Sequence, residues 1–239
     1  MKSICLSCYL TERKDPQRGK FWEPNNSAVV KGWIESVERL GLTGLIFHDN
    51  LSDQFIEDWA SANVQFKKIA WKTPWTAAEE RVRIYFDWLR ENPEYVKIMT
   101  TDLSDVEFYR DPFPLMSDPD ELYLMIEGWS IGRSCLKTWM RSNYGEVLYS
   151  DELICNPGVL GGARNMMLSF LERWLNEMSL RPLKSPSPPG QLPDWSPCDI
   201  VCYNVLIRRE RIPFTSGPPL HTRFWAEEPF SCGAAVRHK

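Results

Sequence analysis

Histidine is scarce in this sequence. With three among 239 residues, any chemistry that needs an imidazole must draw on His48, His221 or His238. No apolar run is long enough to cross a bilayer, so a spanning helix is not expected. No run of Lys and Arg makes the basic stripe that follows nucleic-acid phosphates, and the formal net charge is −4, which excludes nucleic acid as the partner class. The seven cysteines are odd in number and scattered, which argues against a disulfide framework and for reduced thiols. Cys5 and Cys8 have metal-knuckle spacing but no second pair, and in a strand their side chains point to opposite faces, so zinc is not expected there. Cys198 and Cys202, one helical turn apart, are expected to find only distant partners. The apolar start from Met1 to Leu10 is short and runs into Thr11-Glu12-Arg13-Lys14 without a small-residue cleavage site, so no targeting leader is expected. These absences lead to the expectation of a soluble, cytoplasmic protein.

What is present suits one α/β domain over residues 1–239. Hydrophobic residues make up 43%, enough for a sizeable core. The 11 tryptophans suit either a core or faces that stack on sugar rings. The first half alternates elements: a strand over Ile4–Tyr9, a helix from Ser27 to Leu40, a strand at Leu45–Phe47, a short helix over Phe55–Ala60 and a strand over Val64–Ile69. A capping-box pair, Thr76 and Glu79, then starts a helix whose apolar face is Val82, Tyr85, Phe86 and Leu89. The strand Tyr95–Met99 follows and emerges at Thr100-Thr101-Asp102. This order predicts a Rossmann-type, mostly parallel sheet flanked by helices, with ligands beyond the carboxyl ends of its strands. Later come strands at Leu122–Ile126 and Leu153–Asn156, helices over Cys135–Arg141 and around Met167–Trp174, and a Pro-rich solvated loop over about 181–197.

The segment Asp102-Leu103-Ser104-Asp105-Val106-Glu107-Phe108, closed by Asp111-Pro112-Phe113, carries the most chemistry. Two carboxylates three residues apart, just after a buried strand, can converge on one hard divalent cation such as Mg²⁺ or Mn²⁺. The same spacing also suits a loop of acidic turn formers. Gly158, Gly161 and Gly162 suit either close approach of backbone to a sugar or a tight strand-to-helix turn. Asp199 suits either a base or a residue placed in the first turn of a helix. His221, after Gly217-Pro218-Pro219-Leu220, is a candidate phosphate contact on a mobile loop, and His48 reads as structural.

Asp-x-x-Asp-Val-x-Phe-x-x-Asp-Pro-Phe resembles the donor-site segment of GT-A-fold glycosyltransferases, in the variant that reads Asp-x-x-Asp where Asp-x-Asp is better known. Further segments resemble the same family in order. These are Arg81-Val82-Arg83-Ile84-Tyr85, Asn156-Pro157-Gly158-Val159-Leu160-Gly161-Gly162, Asp199-Ile200-Val201-Cys202-Tyr203-Asn204 and Ala235-Val236-Arg237-His238. The chain departs at Pro157, where Ser is usual, and at Ile200, where Gln is usual. The resemblance implies a GT-A-like fold and transfer of a sugar from a UDP- or GDP-sugar to a hydroxyl of a glycan or other acceptor. It implies Mn²⁺ or Mg²⁺ held by Asp102, Asp105 and His238, and a donor held by Arg81, Asp102, Asn156, Gly158, Gly161 and Gly162, to which His221 is the candidate phosphate contact read from its loop. Asp199 or Asp151 would serve as base if the enzyme inverts; if it retains, the leaving phosphate can do that work. Nucleotidyltransferases of the same fold open with a Gly-rich loop, and the stretch after Tyr9 has only Gly19. The other reading is a catalytically silent nucleotide- or sugar-binding protein.

Overall fold

The computed structural model describes residues 2–15, 19–181, 198–222 and 233–238. The Pro-rich loop expected over about 181–197 lies outside the described residues apart from Arg181.

Alternation along the first strand, β1 (Lys2–Tyr9), sends side chains into two cores: Ile4 and Leu6 enter one, Cys5 and Tyr9 the other. Helix α1 (Ser27–Arg39) starts where the Asn26 side chain accepts the Ala28 N–H at 3.0 Å, and its buried stripe is Val30, Trp33 and Val37. Strand β2 (Gly44–His48) follows, then α2 (Asp53–Trp59), capped by the Ser52 side chain, and β3 (Val64–Lys68). Helix α3 (Ala77–Glu91) begins at Thr76, whose N–H donates to Glu79 Oε2 at 2.9 Å, and it buries Val82, Tyr85 and Leu89. Strand β4 (Tyr95–Thr101) completes the half whose elements local pattern predicts.

The seven-stranded sheet has the order β3-β2-β1-β4-β7-β6-β8, once β6 (Leu122–Ser130), β7 (Leu153–Ala163) and β8 (Phe214–Thr215) are added. β3, β2, β1 and β4 run parallel, whereas β7 is antiparallel to both β4 and β6. Helices α1 and α2 cover one face. On the other lie α3, α5 (Arg164–Ser179) and α6 (Cys198–Arg209), and the shorter α4 (Leu136–Tyr144) packs on α6 in a satellite core. This is a single α/β domain with a largely parallel, Rossmann-type sheet between helices. The chain winds outward from β1 through β2 to β3, then returns to place β4 on the other side of β1. That reversal opens a crevice between the carboxyl ends of β1 and β4. Strand β5 (Val106–Phe108) pairs antiparallel with β9 (Val236–His238) in a separate ribbon beside that crevice. Among the described residues no helix is long and apolar enough to cross a membrane.

Two local expectations change. The strand expected to stop at Asn156 continues to Ala163, because Gly161 and Gly162 lie within the ladder between β4 and β6 rather than in a turn. A Cβ on Gly161 would stand 3.0 Å from Met116 Cε and 3.1 Å from the Ile98 carbonyl, so glycine here permits sheet packing. Cys198 and Cys202 find each other, with their sulfurs 3.3 Å apart on one face of α6, and every described cysteine is a free thiol.

Candidate metal centre

Asp102 is the first residue beyond β4. Its N–H donates to the Gly158 carbonyl at 2.8 Å, which fixes the backbone as the strand ends. Arg81, from α3, donates to Asp102 Oδ1 and ion-pairs with Asp199 Oδ2 at 3.5 Å. With Oδ1 so engaged, Asp102 Oδ2 faces the ring of His238, 3.7 Å from Nε2. Asp105 directly precedes β5, and its Oδ1 lies 3.6 Å from the same nitrogen.

His238 arrives from the far end of the chain. Val106 of β5 stands opposite it in the ribbon, and β9 is held on its other side by Thr222 N–H to the Val236 carbonyl at 3.0 Å and Val236 N–H to the Leu220 carbonyl at 2.9 Å. His238 Nδ1 lies 3.2 Å from Met125 Sδ. A thioether only accepts, so this contact assigns the ring proton to Nδ1 and turns the Nε2 lone pair toward the two carboxylates.

The ligand atoms of Asp102, Asp105 and His238 all lie within 4.8 Å of one another. Two observations test whether they suit a cation. Asp105 Oδ1 is buried and accepts no hydrogen bond among the described residues, which is costly unless a positive group serves it. Gly158 borders the cluster so closely that a Cβ would stand 2.4 Å from His238 Cε1 and 2.7 Å from Asp102 Oδ2. The residues fit a small divalent metal.

The cluster opens into a cavity of about 880 Å³ at the crevice between β1 and β4. Tyr9 and Leu10 line it from β1, Thr101 and Asp102 from the end of β4, and Asn156 and Pro157 from β7. Arg81 and Asp199 line it from the helix layer, as does Ile200. Burial would weaken the charge on Arg81, yet Asp102 and Asp199 outweigh it and hold the guanidinium firmly protonated. Burial raises the Asp199 carboxyl above its ordinary value, against the opposing pull of Arg81.

Other expected site residues lie elsewhere. Asp151 is exposed in the turn before β7 and does not line the cavity. Gly161 and Gly162 are inside the sheet. His221, expected as a phosphate contact on a loop, is fully buried, with its ring nitrogens against the carbonyls of Leu124 and Thr222. It bridges to Val236 and so helps hold β9 in place. His48, at the end of β2, is buried as expected of a structural residue.

Sequence reasoning missed Glu127 and Trp129, both of which line the cavity from β6. A signal existed: Leu-Tyr-Leu-Met-Ile-Glu is an apolar strand that delivers a carboxylate at its end, as Ile-Met-Thr-Thr-Asp does. Among the tryptophans, Trp33, Trp88 and Trp174 serve the cores, whereas Trp22, Trp129 and Trp139 face the cavity. Compared with known proteins, the chain matches no family model, and no curated protein matches it.

Proposed function

We propose that this chain is a metal-dependent glycosyltransferase that moves a sugar from a UDP- or GDP-sugar to a hydroxyl of a glycan or other acceptor. One observation carries the reading: Asp102, Asp105 and His238 converge beside a cavity at the sheet's crevice, with Asp105 Oδ1 left without a hydrogen bond among the described residues. Asp102, Asp105 and His238 would hold a divalent cation and leave it able to take diphosphate oxygens as well. Carboxylates suit Mg²⁺ and Mn²⁺ alike, and the imidazole leans the set toward Mn²⁺. A cation bound there would supply positive charge where the departing nucleoside diphosphate gains negative charge.

The chain's own side chains do the rest. Arg81 holds Asp102 Oδ1 and so aims Oδ2 at the cluster. Asn156 accepts the Gly158 N–H at 2.7 Å and keeps the glycine backbone pressed to the site. The aromatic wall of Tyr9 and Trp22, with Leu10, suits a nucleoside, and the cavity volume of about 880 Å³ lies within the roughly 300–1,000 Å³ of small-molecule sites.

Calorimetric titration with UDP, GDP and their sugars, in Mn²⁺ and again in EDTA, tests the reading. Saturable binding seen with Mn²⁺, absent with EDTA and absent in Asp102→Ala, is expected. Equal binding in both conditions would instead favour a silent binding protein, and no binding to any nucleotide would end the proposal.

A further inference from the structure

The cavity has a wall that the metal cluster does not use. Glu127 and Trp129 are alternate residues of β6, and both side chains face the cavity. Trp129 is 53% exposed, a large aromatic face with no core to fill. Glu127 Oε1 accepts from Asn156 Nδ2 at 3.0 Å, and among the described residues no other hydrogen bond reaches this carboxylate. Oε2 is left for a ligand, while Asn156 fixes the direction in which it points. Asn156 thereby links Glu127 to Gly158 and, through it, to the cluster.

The other carboxylates around the cavity are committed. Asp102 and Asp105 belong to the cluster. Asp199, 4% exposed, is held by Arg81. Asp15 lies on the loop beyond β1, on the side assigned to the nucleoside.

Resting on the transferase reading, we propose that β6 is the acceptor wall, with Trp129 seating a carbohydrate ring and Glu127 Oε2 taking the proton of the attacking hydroxyl. The acceptor oxygen bonds to the anomeric carbon as its proton passes to Oε2. The bond from that carbon to the diphosphate oxygen breaks, and its electron pair leaves with the nucleoside diphosphate. Glu127 ends as a neutral carboxylic acid and returns the proton to water. Attack from the side away from the leaving group inverts the anomeric centre. Burial raises this carboxyl above its ordinary value, with Asn156 and then His238 opposing. Trp129 favours a carbohydrate because the apolar face of a sugar ring stacks on indole while its hydroxyls stay free to react.

The test uses the full chain with Mn²⁺ and whichever UDP- or GDP-hexose the wild type binds. Diphosphate release is followed with water and then with methyl hexosides as acceptors. Glu127→Gln keeps the size of the side chain and its bond to Asn156 but cannot take the proton. Its donor affinity and melting temperature should match the wild type, while turnover falls by about 100-fold or more. Trp129→Ala should raise KM for the methyl hexosides several-fold. NMR of the glycoside product should show the inverted anomer. Turnover of Glu127→Gln within about 5-fold of wild type, far short of the roughly 100-fold typical of a lost proton acceptor, or a product of retained configuration, would overturn the assignment. A wild type that binds no nucleotide sugar would defeat the transferase reading itself. One that binds a donor yet releases no diphosphate with either acceptor would defeat the assignment of Glu127.

Discussion

On α5, Glu177 is buried among Tyr144, Arg181 and Arg209; beside the cavity, Asp102 and Asp105 sit among Arg81, Asp199 and His238. Both clusters mix carboxylates with cations in places mostly closed to water, and they are wired differently. Glu177 accepts from the Tyr144 hydroxyl at 2.6 Å and from Arg209 at 2.7 Å, with Arg181 as a third donor, so both of its oxygens are served. Burial alone would raise its carboxyl, but the donors from Arg209, Tyr144 and Arg181 outweigh burial and hold it at about 2. Asp105, by contrast, keeps a buried oxygen with no donor among the described residues. A satisfied buried charge fastens elements together, here α4, α5 and α6; a buried carboxylate oxygen without a donor at a cavity wall suits a cation.

The largest separation between the clusters is expected from Asp105→Asn. On the proposed reading this removes a direct ligand and should weaken Mn²⁺ binding by more than about 100-fold, beyond the 10–100-fold typical of groups that only hold ligands in place. The melting temperature should hold or rise, since the charge is removed from an oxygen that is buried with no hydrogen bond among the described residues. A Mn²⁺ titration alongside a thermal melt checks both, and a large loss of stability would place Asp105 with Glu177 instead.

Glu177→Gln should do the reverse, costing about 3 kcal/mol of stability at neutral pH and leaving Mn²⁺ affinity unchanged. The sign of its pH dependence follows from a folded value below the ordinary 4.5. The contribution is complete above the unfolded value and is lost as pH falls from there toward about 2. Denaturant melts of the two proteins should therefore converge over that acid window and differ most above it.

Much of this division can be read from sequence, and its limits have a physical cause. Strands β1 to β4 and their helices declare themselves through period-2 and period-3.6 patterns and through caps such as Asn26, Ser52 and Thr76, which are all local. Asp102 and Asp105 are legible because a carboxylate directly after an apolar strand stands where parallel sheets bind ligands. His238 is not legible that way. Its place depends on the pairing of β9 with β5, across most of the chain, and only the family resemblance pointed to it. Gly161 and His221 mislead for the same reason: a glycine between two strands and a histidine between two carbonyls leave no periodic mark distinguishing them from loop residues. Glu127 carried the same mark as Asp102 and lacked only a neighbouring acid to draw notice.

The glycines of β7 sharpen the comparison at intermediate size. Gly158→Ala pushes a Cβ to 2.4 Å from His238 Cε1, so the cluster must spread, and Mn²⁺ affinity should fall about 10- to 100-fold. Gly161→Ala meets Met116 and the Ile98 carbonyl in the sheet instead, so it should cost about 1–3 kcal/mol of stability while the metal affinity barely moves. Two alanines three residues apart would thus report on the site and on the fold separately, and equal behaviour would dissolve the distinction.

The smallest effect belongs to Asp151. It is an exposed carboxylate in a turn and does not line the cavity. Asp151→Asn removes one charge that water already screens, so stability should stay within about 0.5 kcal/mol. Donor binding and turnover should also match the wild type, because a base must reach the proton it takes and this side chain lines no part of the cavity. A marked loss of turnover with unchanged donor binding would mean that the turn before β7 folds over the cavity once substrate is present. The acceptor wall would then be shared between β6 and that turn.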